Sequence, residues 1–226
     1  MSFDFTGKVA IVTGAGGGLG FAYAKYLAER GCNVIVNDLG GGTFGYDGKP
    51  SSKVAEEAVK KINALGKGTA VADGHDVSEY KSAESMVDTA IKKWGRIDII
   101  INNAGIASTA VFPNVDREEV DLHLGVHVMG AINTMRAAWP HMVKQKFGRI
   151  INTSSDSMLG FSPQITYPTM KAGLIGLTRN AGLLGKDHNI NINAIMPAAF
   201  TRLSALLPQS DFRTRLENDF QPDKLA

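Results

Sequence analysis

Lys8–Gly20 reads KVAIVTGAGGGLG: an apolar, β-rich run that breaks into glycines and then continues with helical periodicity. Lys8–Thr13 is expected to be a fully buried strand, because no polar residue interrupts Val9–Val12. Leu19–Arg30 is the helix that follows it. Between them lie Gly14, Gly16, Gly17, Gly18 and Gly20. Glycine permits positive φ and close approach to the backbone, and a helix N-terminus presents oriented N–H groups with a partial positive charge. Gly14, Gly16, Gly18, Leu19 and Gly20 are therefore candidate phosphate-binding positions. The plainer alternative is a glycine-rich turn with no ligand.

Asn33–Asn37 (NVIVN) is a second strand, and Asp38 stands at its end. A carboxylate placed there accepts both ribose hydroxyls of NAD and repels the 2′-phosphate of NADP. Neighbouring Ala15 and Leu39 offer no cation for that phosphate, so NAD is the favoured cofactor. A solvated Asp at a loop start is the competing reading.

Outward from this unit, strands and helices alternate. Gly40–Gly48 is too rich in glycine for regular structure. Ser51 or Ser52 caps a helix to about Leu65, with Gly66 beyond it. Thr69–Ala72 is a strand, Glu79–Trp94 a helix closed by Gly95, and Ile97–Ile101 a fourth strand. Arg117 to about Lys146 is helical, with Pro140 expected to kink or stop it. Arg149–Thr153, Tyr167–Lys186 and Ile190–Met196 give strand, helix and strand. This alternation, with right-handed crossovers, predicts an α/β fold: a Rossmann-like, doubly wound parallel sheet with helices on both faces, in one domain spanning 1–226.

The rest of the composition mainly excludes. The 226 residues carry 24 Lys+Arg against 22 Asp+Glu, a formal charge of +2, with no basic tract to seek nucleic acid or an anionic membrane. One cysteine, Cys32, rules out an intrachain disulfide and any Cys-rich metal site. No His spacing suits a metal, so none is expected. The N-terminus has no secretory pattern and no apolar run reaches membrane length. The default compartment is the cytoplasm.

Thr-Gly-x-x-x-Gly-x-Gly at 13–20 resembles the glycine motif of the short-chain dehydrogenase/reductase family. Further matches follow in order: Asp76-Val77, Asn102-Asn103-Ala104-Gly105, Ser154-Ser155, and Tyr167-x-x-x-Lys171. The resemblance implies that Asp76 and Val77 contact adenine, that Asn103, Ala104 and Gly105 border the cofactor, and that Lys171 also hydrogen-bonds the nicotinamide ribose. Asn37–Gly41, the Asp47-Gly48 insertion and Val126-His127 are similar to the hydroxyacyl-CoA dehydrogenase branch. That branch includes the dehydrogenase unit of peroxisomal multifunctional enzyme type 2 and bacterial relatives.

Tyr167 and Lys171 stand at i and i+4, on one helix face. Moving a phenol from about 10 to about 7 takes roughly 4 kcal/mol, which a cation at about 4 Å supplies at an effective dielectric near 20. Lys171, with a positive nicotinamide, is therefore expected to make Tyr167 an acid/base near neutral pH. A serine at the end of the fifth strand orients the substrate oxygen. Family loop length favours Ser154 and strand-end alignment Ser155; Ser155 is preferred, with Ser154 on the opposite face. Most of the family has Asn where His127 stands. The resemblance implies a proton-relay role there, and a core or capping histidine is nearly as good a reading.

Three departures stand out. Pro168 follows Tyr167 and suits a first helical turn. Pro197-Ala198 replaces the usual Pro-Gly, although Thr201 remains placed to meet the nicotinamide carboxamide; Arg202 beyond it reads first as a solvated side chain, with a CoA phosphate as the alternative contact. The chain ends at Ala226, where the family continues into a last helix and strand. An open sheet edge and weakened tetramer contacts are expected from that ending, in a protein otherwise expected to form homodimers or homotetramers. Residues 197–226 are expected to cover the substrate.

The resemblance implies an NAD-dependent oxidoreductase interconverting a secondary alcohol and a ketone, with a 3-hydroxyacyl-CoA as substrate. Within the same chemistry the alternative is a free alcohol, sugar or steroid. From another class, the alternative is a non-catalytic NAD-binding regulatory module.

Overall fold

The computed structural model describes residues 3–45, 49–160, 164–207 and 209–226; the Asp47-Gly48 pair lies outside them. Six parallel strands form one sheet in the order β3-β2-β1-β4-β5-β6. They are β1 Val9–Thr13, β2 Asn33–Asn37, β3 Ala70–Asp73, β4 Ile99–Asn102, β5 Gly148–Thr153 and β6 Ile190–Ile195. Strand order reverses between β1 and β4, where Ala10, Ile11 and Val12 pair with Ile99, Ile100 and Ile101. In such sheets the crevice beyond the strand ends at this reversal is the ligand site.

Alternation along β1 divides the core in two. Val9 and Ile11 join Met86, Val87 and Ala90 of α3 (Tyr80–Trp94) and Ala138 and Met142 of α5 (Gly130–Gln145). Ala10 and Val12 face the other way, onto Ala24 and Leu27 of α1 (Gly18–Ala28) and Ala58 and Ile62 of α2 (Lys53–Asn63). A strand buried on both faces must be apolar at every position, and β1 is. Cys32 is fully buried with the second group.

Two local features refine the expectations. Ser52, just before α2, makes no capping bond and its hydroxyl donates instead to Glu56, while Ser51 Oγ accepts the N–H of Lys53, the first residue of α2, at 3.4 Å. The long helix is not interrupted at Pro140, which lies within α5. Its irregularity comes earlier. α4 (Arg117–His123) passes into a π-helical segment, Leu124–Met129, before α5 begins. Burial of Ala137, Ala138 and Met142 around Pro140 holds the helix through the one missing bond. π-Segments inside helices occur often beside functional sites, and this one carries His127.

The remaining helices are α6 (Thr166–Gly185) and α7 (Asp211–Asp219). Among the described residues, no helix is long and apolar enough to cross a membrane.

Candidate active site

The glycine loop is held by the strand beside it. Asn103, just past β4, donates from its side chain to the carbonyls of Thr13 (3.0 Å) and Gly14 (3.1 Å). The Thr13 hydroxyl accepts the N–H groups of Asn103 and Ala104, both at 3.0 Å. Gly14 adopts φ +62°, and a Cβ there would stand 2.8 Å from the Cα of Ala104. At Gly20 a Cβ would overlap the Gly14 carbonyl oxygen. The loop and α1 can therefore approach this closely only as glycine. Gly17 precedes α1 with no side-chain cap, so the first-turn N–H groups of α1 have no side chain of that residue to satisfy them.

Asp38 is buried, and both its oxygens are engaged by backbone: Oδ2 accepts from Gly16 N (2.9 Å) and Oδ1 from Gly40 N (2.8 Å). The carboxylate is thus fixed at the loop before any ligand arrives. Asp76 accepts from Ser78 N at 2.8 Å, and the buried Val77 packs against Gly130. Leu19 is half-buried at the start of α1. Thr201 hangs over that helix end, its methyl 3.6 Å from where a Cβ on Gly18 would be. Pro197 is half-buried and Arg202 exposed.

Across the crevice, β5 delivers the two serines to different places. Ser154 is buried and donates to the carbonyl of Lys171 at 2.7 Å. The Ser155 hydroxyl instead lies beside the Tyr167 phenol and donates to Asp156 Oδ1 at 3.4 Å. The same hydroxyl accepts Ser157 N at 3.2 Å, capping the short turn that follows.

Tyr167 is the second residue of α6 and Lys171 follows one turn later, buried, with Nζ 2.7 Å from the Thr153 carbonyl and 5.5 Å from the Tyr167 ring centre. Burial pushes the ammonium down to about 8. Burial also raises the phenol above its ordinary value; the Ser155 hydroxyl works against that rise and Asp156 with it. The expected lowering of Tyr167 by Lys171 is therefore not what the protein's own groups deliver. Nζ is directed to a strand-end carbonyl, and loss of water around the phenol is the larger effect.

His127 is buried behind these two. Its ring stands edge-on to Tyr167, with centres 5.4 Å apart and planes at 83°, and it stacks on His123, also at 5.4 Å. Nε2 lies 3.1 Å from the Ile106 carbonyl, while Nδ1 has no partner among the described residues. Burial holds the imidazole well below its usual range, with Lys171 and His123 acting in the same direction. It is a neutral ring with one free nitrogen. A Cβ on Gly105 would stand 2.9 Å from His127 Cε1 and 3.8 Å from Lys171 Nζ, so that glycine is what lets ring and ammonium lie side by side.

Sequence reading missed the scaffold beneath these groups. Asn102 donates to Asn152 (2.9 Å), Asn152 to Thr178 (2.9 Å), and Thr134 to Asn102 (2.6 Å), which ties β4, β5, α5 and α6 together under the site. The available signal was an asparagine directly after an isoleucine run in each of two strands, Asn102 after Ile99–Ile101 and Asn152 after Ile150-Ile151. Such a buried polar group needs a partner. Among the described residues no cluster of three or more His, Cys, Asp or Glu could hold a metal.

A profile of the family described as short chain dehydrogenase matches residues 8–207. The chain belongs to the short chain dehydrogenase family. It is 44% identical over 92% of its length to a peroxisomal hydratase-dehydrogenase-epimerase of Neurospora crassa, covering 23% of that protein. It is 42% identical over 97% of its length to peroxisomal multifunctional enzyme A of Dictyostelium discoideum, covering 49%. It thus spans between about a quarter and a half of the length of these curated relatives. Among solved structures, a short chain dehydrogenase from Mycobacterium avium superposes with a TM-score of 0.82 at 36% identity, over 98% of this chain and 75% of that one. NAD+-bound xylitol dehydrogenase gives 0.78 at 28% identity, over 96% and 80%. The glycine loop after β1 and the Tyr-x-x-x-Lys helix after β5 lie on opposite sides of the strand reversal.

Proposed function

We propose that this chain is an NAD-dependent oxidoreductase that interconverts a secondary alcohol and a ketone, acting on a 3-hydroxyacyl-CoA. The observation that carries the reading is one crevice in which Ser155 faces the Tyr167 phenol while an uncapped, glycine-lined helix start and a fixed Asp38 stand opposite. The xylitol dehydrogenase likeness supports the choice of NAD.

The residues fit a dinucleotide. Gly14, Gly16, Gly18, Leu19 and Gly20 give the pyrophosphate an approach to the bare N–H groups of α1. Asp38 takes the adenosine ribose hydroxyls on the lone pairs its backbone donors leave free. Asp76 and Val77 would border the adenine, Asn103, Ala104 and Gly105 would form the floor, and Pro197 and Thr201 would meet the carboxamide end. A bound oxidised nicotinamide supplies an acceptor for the hydride leaving the carbinol carbon and a positive charge that favours the phenolate. Tyr167 takes the hydroxyl proton, and Ser155 hydrogen-bonds the substrate oxygen and aims it. Lys171, cationic in most molecules at neutral pH with a pKa of about 8, holds the ribose and passes the proton on. His127 serves that relay as an acceptor, since burial keeps it neutral and leaves Nδ1 bare.

Residues 197–226 form the substrate cover of a single domain, with the exposed Arg202 offered to a CoA phosphate. The CoA assignment rests on the likeness to the multifunctional relatives and on Val126-His127. An apolar groove of about 360 Å³ on α5 and α6, lined by Trp139, Pro140, Leu177 and Leu184, supports a homodimer or homotetramer. For a chain with one buried cysteine we propose the cytoplasm. The Neurospora and Dictyostelium relatives are peroxisomal by name, and imaging of the tagged chain decides between the compartments.

The test is the initial rate of NADH formation with NAD and a panel pairing (3R)-3-hydroxyacyl-CoA esters with the matching CoA-free alcohols. Turnover of the esters alone is expected. Equal rates on the free alcohols would remove the CoA assignment, and silence on both with NADH still bound would remove the enzymatic reading.

A further inference from the structure

Behind the crevice lies a carboxylate that neither the sheet nor the nucleotide cradle uses. Glu119 sits on α4, where its own N–H is capped by Asp116 at 2.8 Å, and its side chain turns inward. One oxygen, Oε1, accepts the hydroxyl hydrogens of Ser108 and Thr166 (2.8 Å for Thr166) and lies 3.3 Å from Nε2 of the fully buried His123, with no hydrogen bond between those two. The two hydroxyls also stand 2.9 Å from each other. Three segments distant in sequence thus meet at one atom: the loop after Gly105, the first residue of α6, and the end of α4.

Each of these segments borders the reacting groups. Thr166 immediately precedes Tyr167. Ser108 follows Ile106, whose carbonyl fixes Nε2 of His127. His123 is the ring on which His127 stacks, and His127 is in edge contact with Tyr167. An ionised oxygen with several donors is the stronger kind of hydrogen-bond hub, and its geometry is set by the charge.

We propose that Glu119 is the positioning residue of the acid–base site: its carboxylate clamps Thr166 and the Ser108 loop, packs against His123, and so fixes both Tyr167 and His127. The proposal rests on the reading of Tyr167 as the acid/base. The clamp is independent of the glycine loop, which Thr13 and Asn103 hold from the other side of the crevice.

The experiment compares Glu119→Gln, Thr166→Val and Thr166→Ser with the wild type, by steady-state kinetics, NADH titration and backbone hydrogen exchange. Misplacing a reacting group by about 1 Å costs up to roughly 100-fold. Glu119→Gln is expected to lower kcat by about 10- to 100-fold, with KM and NADH affinity changed less than about threefold. Exchange should quicken at 106–110 and 165–171 but not at 9–20. Thr166→Val should reproduce this in weaker form and Thr166→Ser restore most of the loss, a rescue that also serves if Glu119→Gln fails to fold. Wild-type kcat in Glu119→Gln overturns the proposal, and so does loss in Thr166→Ser equal to that in Thr166→Val. Exchange that quickens equally at 9–20 also overturns it, because Glu119 would then act on global stability alone. If the wild type turns over none of the panel while binding NADH, the functional reading fails and the exchange comparison still decides the clamp.

Discussion

The two sides of the crevice hold their loops over the strand ends by opposite means. On the nucleotide side the work is done by backbone: glycines that admit no Cβ, carbonyls taken by Asn103, and N–H groups taken by Thr13 and Asp38. On the substrate side it is done by buried, ionisable side chains. Lys171, His127, His123 and Glu119 lie within a few ångströms of Tyr167 or of one another, and His127 Nδ1 and Thr153 Oγ1 are buried without a partner among the described residues. A cradle of backbone groups buries no ionisable side chain beside the chemistry. Buried ionisable groups cost stability and are retained where chemistry needs them. The contrast predicts that substitutions on one side change binding and folding, and on the other change rate.

Tyr167→Phe tests this most severely. The ring and its contact with His127 stay, and only the hydroxyl goes. General acid–base groups contribute about 100- to 10,000-fold, so kcat should fall by about three orders of magnitude with NADH affinity nearly unchanged. Stopped-flow turnover and a fluorescence titration check both halves of that statement. If turnover survives, the substrate side has no acid/base at Tyr167 and the comparison collapses.

Lys171 sharpens the cost side. Its pKa is about 8 in the folded protein and 10.5 as the ordinary value. Between these, the unfolded chain keeps a proton that the native state has released, so native stability rises with pH through that window. Below about 8 the full penalty of the buried ammonium is present, and above 10.5 it is gone. Wild type should therefore gain on Lys171→Met by on the order of 3 kcal/mol between pH 7 and 10.5, most of it visible by pH 10. Urea midpoints at pH 7, 8.5 and 10 measure it; parallel curves for the two proteins would mean that burial does not tax this lysine.

The same contrast explains what could be read from the sequence. β1, the glycine spacing and Asp38 were legible because local rules, an unbroken apolar run and glycines at a strand–helix turn, set their geometry. Tyr167 and Lys171 were legible as a spacing, but the balance on the phenol was not. That balance depends on how much water the fold removes, and here burial raises the phenol and lowers the ammonium. The π-segment at Leu124–Met129 was illegible for a related reason: Pro140 was the visible helix breaker, whereas the irregularity arises where His123 and His127 pack into the site. Glu119 could not have been found from spacing at all. It meets Ser108 and Thr166 across 11 and 47 residues, and in sequence it is one of two adjacent glutamates at a helix start.

The smallest effect separates fit from composition within the backbone cradle itself. Gly17 and Gly20 lie three residues apart in one motif and look alike in sequence. At Gly20 an added Cβ meets the Gly14 carbonyl, which is backbone and cannot swing aside, whereas at Gly17 it meets nothing within 4 Å. Forced overpacking costs about 1–3 kcal/mol, and in a protein of this size each kcal/mol lowers Tm by roughly 2–4 °C. Gly20→Ala should therefore melt several degrees early. Gly17→Ala, at an extended residue that needs no glycine for its own backbone, should fall within about 1 kcal/mol of wild type. Calorimetry of the two alanine variants distinguishes them. Equal losses would mean that the motif is glycine-rich for the flexibility of the whole loop, and the account of a cradle fixed by specific close approaches would fail with it.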